Sequence, residues 1–420
     1  MAAFPTTLDL SRFVRPGDTI TWGQTCSEPR ALTRLLVEQA DAIGDLRCFV
    51  GIPAESELTA ETVPHGLAVH SYCGSGTNAG LYDAGRLQIW PVPYSTLPEL
   101  LSTGSLHADV VFVQVSPPNA EGRCALGLGD DYFSASIDTA RAVIGEINEH
   151  VPFTPGARTI ALDSFAAVVG SSRMPAQQPT PSVSEQTRSV ARQVATLVPD
   201  EATLQFGIGA LPEAVLAELF DRRDLGIHSG IINDTAVQLI RAGVATGSAK
   251  SLDRGVAVGG LFGASDDVFA WADRNPAVQL RPTAYTHDPK ILAASKQLIA
   301  INAAIEVDLT GQVNAEAIGR RYVGAVGGAG DFLTGAHRSR GGVPVVALPS
   351  TTRGASRIVS QLSGPVSTPR SQPIVVVTEH GIADLREATL EQRVERMIAI
   401  ADPAHRHDLE AQADRVLADA

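Results

Sequence analysis

No apolar stretch in this 420-residue chain approaches the roughly 18–20 residues that a membrane-spanning helix needs. The opening MAAFPTTLDLSRF has neither a basic start nor a long apolar run, so it does not read as a secretory leader. Cysteine is scarce: Cys26, Cys48, Cys73 and Cys124 are widely spaced, with no CxxC pair. This pattern speaks against a zinc site and leaves reduced thiols and a cytoplasmic location as the expectation, with no metal. Cys26, beside a glycine-bearing turn, is a candidate reactive thiol; a small buried thiol is the plainer reading. Positive charge is also short. A formal net charge of −13 argues against broad binding to nucleic acid or an anionic membrane, while leaving room for a local basic pocket.

Several catalytic signatures are missing too. There is no GxGxxG followed by a ribose-binding acid, so a nicotinamide dinucleotide fits poorly. No GxxxxGK[ST] spacing occurs, which disfavours an ATP P-loop. Neither Gly-x-Ser-x-Gly, HExxH nor a glycosidase-like carboxylate pair is present. What remains is a chain of 44% hydrophobic residues with 38 Gly and 26 Pro, as expected of a turn-rich globular enzyme. Its length is too great for one ordinary core and points to two domains.

Apolar β-type runs alternate with helical patterns. DTITWG, LRCFVGI, LQIWPVP, VVFVQVS and TIALDS are followed by ATLQFGI, LGIHSG, KQLIAIN, VPVVALPS and PIVVVTEH. Between many of them lie helical stretches such as EPRALTRLLVEQADAI and PEAVLAELFDRR. This alternation predicts α/β architecture with mostly parallel sheets. The Pro- and Ser-rich segment at about 170–181 reads as a linker, giving domains at 1–181 and 182–420. Ser182-Val-Ser-Glu185 then offers a capping box for the next helix. Across the linker, DTITWGQTCSEPRAL (18–32) and ATLQFGIGALPEAV (202–215) share a Thr, an aromatic-Gly step and a Pro-x-Ala. Any β-turn-α unit resembles this to a degree; the detailed agreement favours duplication, with the ligand site in a cleft between related domains.

The candidate site residues cluster near strand ends. Gly207 and Gly209 lie between a strand and a helix, where the backbone can approach a ligand and the helix supplies N–H donors. The cluster at 323–342 is dense in glycine; Gly327 and Gly328 suit a cavity wall, and Arg338 and Arg340 either meet phosphates or are solvated. Asn302 follows three apolar residues, as suits a polar group at a strand tip. Glu379 ends another apolar strand in Thr378-Glu379-His380-Gly381. His228, Ser229 and Gly230 end LGIHSG. Gly230 is either a turn device or the gap left by an absent side chain.

In VQVSPPNAEGRCALG (113–127), LQFGIGALPEAVL (204–216), LGIHSGIINDTAVQLIRAGVATG (225–247), INAAIEVDLTGQVNAEAIG (301–319), VGGAGDF (326–332) and VVVTEHGIADLR (375–386), the chain resembles the acetyl-CoA hydrolase/transferase family. That family comprises single-chain class I CoA-transferases, among them 4-hydroxybutyrate CoA-transferases. The resemblance runs from Gly17 to about His407. It implies two related open α/β domains in a tandem CoA-transferase fold, an acyl-CoA site in the cleft between them, and a homodimer. It implies a coenzyme A thioester as substrate, with no tightly bound cofactor.

The resemblance also assigns roles. In this family a glutamate after the HS step attacks the thioester and passes through a glutamyl-CoA intermediate; here that position is Gly230. Asn302 matches the amide near the acyl group, Glu379 the carboxylate of the TE-x-G motif, and Gly327 or Gly328 the oxyanion donor. The Gly207–Gly209 turn matches the one before the second-domain helix. Without the glutamate, one expectation is hydrolysis, or transfer to a small nucleophile, with Glu379 or His228 as base. A second is CoA transfer to a carboxylate acceptor through Glu379, Glu306 or Glu316. A third is a silent acyl-CoA-binding protein. Tyr72 and Phe262 are candidate pocket walls.

Overall fold

The apolar runs form two separate, mostly parallel sheets. A computed structural model describes residues 4–178 and 180–419. Met1–Ala3, Ala420 and Pro179 of the expected linker lie outside the described residues. The chain divides into two units. One comprises Met1–Pro179, Ile231–Asp234 and Val258–Thr286; the other comprises Thr180–Gly230, Thr235–Ala257 and His287–Ala420.

The main sheet of the first unit has seven strands: β1 (Thr19–Trp22), β2 (Leu46–Val50), β3 (Leu67–Ser71), β4 (Leu87–Ile89), β5 (Val110–Val115), β6 (Ala142–Asn148) and β7 (Ala167–Ser171). Their order is β4-β3-β2-β1-β5-β6-β7, with every pair parallel. Buried central strands need no polar face, and VVFVQV is buried at all six positions. Helix α1 (Arg30–Ile43) buries Leu32, Leu35, Leu36 and Ala40, one stripe at helical spacing. It packs into the core formed by Ile20, Trp22, Val69, Phe112 and Ile144. Each fully buried leucine there contributes about 1.5–3 kcal/mol. Of the strands read from the sequence, TIALDS stands apart: Thr159–Ala161 pairs antiparallel with Arg123–Ala125, outside the main sheet.

The main sheet of the second unit has six strands, β8 (Thr203–Phe206), β9 (Gly226–Ile227), β10 (Leu298–Ala303), β11 (Val343–Ala347), β12 (Val375–Thr378) and β13 (Gly381–Asp384). The order is β9-β8-β10-β11-β12-β13, parallel except for the closing β12–β13 hairpin. Helix α2 (Glu185–Ala195) is capped by Ser184, whose side chain accepts from the Thr187 N–H. The cap therefore lies two residues beyond the Ser182 suggested by the sequence pattern. Helix α3 (Ala210–Ala217) follows β8, and helix α4 (Ala329–Arg338) precedes β11. Helix α5 (Leu390–Ala399) opens with a reciprocal capping box between Thr389 and Gln392.

In each sheet the first strand of the unit is where the strand order turns: β1 has β2 on one side and β5 on the other, and β8 has β9 and β10. The shared Thr and aromatic-Gly steps, Thr19 with Trp22-Gly23 and Thr203 with Phe206-Gly207, therefore mark the same topological place in both sheets.

Candidate functional site

Open parallel sheets bind ligands beyond the carboxyl ends of their strands, where the strand order reverses. In the second unit that place lies between the tips of β8 and β10. Gly207 follows β8, and Asn302 is the penultimate residue of β10. The Asn302 amide donates to Gln205 Oε1 at 3.2 Å, so a side chain from each strand meets its neighbour there. Because β9, β11 and β12 run parallel to these strands, their tips share the same edge. His228 follows β9, Ser350 lies three residues past β11, and Glu379 follows β12. Of the residues singled out from the sequence, Gly207, His228, Asn302 and Glu379 thus share one edge of one sheet.

The glycines differ in why they are glycine. Gly209 caps α3 at φ 119° and Gly327 has φ 58°, conformations that other residues adopt at a cost. Gly207 has open space: a β-carbon there would meet only Pro212 Cγ, at 4.0 Å. Gly328 is glycine for want of room, since a β-carbon would lie 2.6 Å from His287 Nε2.

His287 was not among the residues singled out from the sequence. It immediately precedes Asp288, whose carboxylate accepts from the N–H groups of Lys290 and Ile291 to cap the helix Pro289–Ala294. The ring is 4% exposed and lies 4.5 Å from Phe332, centroid to centroid. Burial pushes its pKa down to about 3, with His228 adding to the shift. The imidazole is therefore neutral at physiological pH. An HDP step ahead of a helix signals only a cap, so the sequence flags Asp288 rather than the histidine beside it.

The tip of β9 is tied on both sides. Ser229 Oγ donates to the Phe206 carbonyl at 3.0 Å, linking it to β8. Lys250 Nζ donates to the carbonyls of Ile227 at 3.0 Å and Val256 at 2.7 Å, and its alkyl chain fills the place a β-carbon on Gly226 would take. Burial lowers the Lys250 pKa to about 8. His228 itself is wholly buried.

Glu379 is held by three donors. Its Oε1 accepts from Gln186 Nε2 at 2.6 Å and Ser350 Oγ at 2.8 Å, and its Oε2 accepts from the Ser350 N–H at 2.8 Å. Burial raises its pKa, but these hydrogen bonds outweigh it and leave the carboxyl below its ordinary value. Gln186 also donates to Thr351 Oγ1 at 3.1 Å, bracing the donor. The guanidinium of Arg357, in electrostatic contact with Glu379 and Glu306, donates to the carbonyls of Ala304 and Ile305, just past Asn302.

The other two carboxylates considered from the sequence are also engaged. Glu306 accepts from Asn314 Nδ2 at 2.9 Å and from the N–H and Oγ of Ser363 at 2.7 and 2.9 Å. Glu316 accepts from Ser367 Oγ at 2.6 Å and the Tyr322 hydroxyl at 3.0 Å. In the first unit, burial pushes the Cys26 thiol up to about 12, which removes the thiolate at neutral pH. Tyr72 and Phe262 are both buried in that unit.

The acetyl-CoA hydrolase/transferase N-terminal domain matches residues 4–177, and the C-terminal domain of the same family matches residues 264–413. The chain belongs to the acetyl-CoA hydrolase/transferase family. A 4-hydroxybutyrate coenzyme A transferase from Clostridium kluyveri is 32% identical over 93% of this chain and 92% of its own length. An acetyl-CoA hydrolase from Yarrowia lipolytica is 28% identical over 63% of this chain and 51% of its own. Among solved structures, RipA from Yersinia pestis superposes with a TM-score of 0.89 at 33% identity, covering 97% of this chain and 95% of that one. The protein is an enzyme of this acetyl-CoA hydrolase/transferase family. Among the described residues, no helix is long and apolar enough to cross a membrane.

Proposed function

We propose that the enzyme cleaves acyl-CoA thioesters by attack of water, or of a small external nucleophile, rather than through a glutamyl-CoA intermediate. One observation carries this reading. Position 230 has no side chain, and each carboxylate considered as a replacement nucleophile, Glu306, Glu316 or Glu379, already accepts hydrogen bonds from at least two groups. A carboxylate committed in this way is slow to leave its donors and attack carbon, and nucleophile placement tolerates little error.

In this reading the thioester carbonyl is polarised by the Asn302 amide and by backbone N–H groups at Gly327 or Gly328. Each such donor is worth about 3–4 kcal/mol in the transition state. Glu379, held ionised, orients the attacking water; with its lowered pKa it is a modest base, and His228 is the alternative proton acceptor. Water oxygen bonds to the acyl carbon, the C–S bond breaks with its electron pair on sulfur, and the proton ends on the thiol or in solvent. The substrate is the coenzyme A thioester.

Kinship to named CoA-transferases supports a second reading, in which a carboxylic acid accepts the CoA. Incubation with several acyl-CoAs, with and without carboxylate acceptors, separates the two. Free thiol without an acceptor supports hydrolysis. New acyl-CoA formed only when an acceptor is present overturns it, and binding without turnover marks a silent binding protein.

A further inference from the structure

The backbone at Gly230 lies outside the left-handed region that would require glycine, so conformation does not account for the missing side chain. Its α-carbon faces a buried imidazole. A β-carbon at Gly230 would lie 3.3 Å from Cε1 and 3.5 Å from Nε2 of His287, and 3.8 Å from Phe332 Cε2. The same imidazole abuts Gly328, where a β-carbon would be 2.6 Å from Nε2 and 2.9 Å from Cδ2. The ring thus faces two residues that both lack a β-carbon, close to the position a β-carbon on either would occupy, with Phe332 alongside. Close-packed interiors give way by tenths of an ångström, not by the width of a carboxylate.

We propose that His287 is a specificity-determining residue of this site: its imidazole crowds the space into which a side chain at position 230 would extend, so that position cannot readily carry the attacking nucleophile. The proposal rests on the reading that the thioester meets the tip of β9 at Gly230. Charge reinforces the steric effect. The buried imidazole is neutral at physiological pH, with His228 opposing its protonation. A carboxylate placed beside it would have to be desolvated against a ring whose burial disfavours the cationic form.

The test compares the wild-type chain with Gly230→Glu, His287→Ala and the double variant. An introduced carboxylate that reaches the thioester forms a new bond to the acyl carbon and expels the thiolate. The thiolate then attacks the mixed anhydride, releases the free acid and leaves coenzyme A joined to the chain. That adduct is read by intact-mass spectrometry and by its loss to borohydride. We expect little adduct on Gly230→Glu, none on His287→Ala, and about tenfold more on the double variant than on Gly230→Glu, the scale of coupling between touching side chains. The melting temperature lost in Gly230→Glu is expected to return in part in the double variant.

Equal adduct on Gly230→Glu and on the double variant would overturn the proposal, because the imidazole would then exclude nothing. Absence of adduct from both would overturn it as well, provided both still bind a non-cleavable thioether analogue of the acyl-CoA. Gly230→Glu/His287→Ser supplies the same comparison if the alanine version fails to fold. Thiol release by the wild-type chain is scored separately. Its absence sinks the hydrolytic reading, while the coupling between positions 230 and 287 remains readable.

Discussion

His287 faces Gly230 across the space of one missing side chain: a β-carbon on the glycine would sit 3.3 Å from the imidazole Cε1. The missing side chain at the end of LGIHSG is therefore matched by a ring from a distant part of the chain. The other candidate groups on the same sheet edge, Asn302 with Gln205 and Glu379 with Gln186 and Ser350, are fixed by hydrogen bonds of their own.

Asn302→Ala should lower kcat for acyl-CoA hydrolysis by about 10²–10³-fold with little change in KM, as expected for loss of one donor to a developing oxyanion. Steady-state thiol release measures both parameters. A change confined to KM would place Asn302 in ground-state binding instead.

Glu379→Gln should reduce kcat by about 10²-fold or more. The wild-type pH profile carries the companion prediction. The folded pKa of Glu379 is depressed, so the carboxylate is fully ionised above the ordinary glutamate range, and its contribution is lost only as pH falls through the depressed value. The rate should stay level from neutrality down to about pH 5, apart from other titrating groups. Gln186→Leu removes one of the lowering hydrogen bonds and should move the acid limb upward.

Acid stability should report on His287. Its folded pKa, about 3, lies below that of an unfolded histidine. The stability linked to its neutral form is complete above about pH 6.5 and is lost progressively as pH falls toward the folded value. His287→Phe keeps a ring but cannot take up a proton. Denaturant titrations at pH 7, 6, 5 and 4 should show a shallower loss of stability in this variant; equal slopes would place the proton uptake elsewhere.

Ser184→Ala should cost about 1 kcal/mol of stability through loss of the N-cap of α2, as seen by urea denaturation. Because α2 begins with Glu185-Gln186, fraying there also loosens the donor to Glu379, and a fall in kcat should accompany the loss of stability. Ser182→Ala should leave both unchanged.

Much of the architecture was legible in one dimension. Strands with both faces buried must be apolar along their length, so VVFVQV and PIVVVTEH announced a parallel sheet. The aromatic-Gly steps at Trp22-Gly23 and Phe206-Gly207 marked equivalent strands in the two units. Six motifs carried the family. The strands LAVHS, AVIGEIN and AVVGS, absent from the runs read as strands, are interrupted by polar or small residues; their parallel neighbours establish them. TIALDS had the composition of a sheet strand but pairs with Arg123–Ala125, because composition does not choose a partner.

The amino-acid order by itself determined which residues stand at strand ends: Gly207, His228, Gly230, Asn302 and Glu379. Only the tertiary structure decided what each one meets there. His287 lies 57 positions from Gly230, and Gln186 lies 193 positions from Glu379. Local periodicity carries no record of such distances. Contacts of that range are set by strand order and helix packing, and so the glycine was visible in the sequence while the imidazole beside it was not.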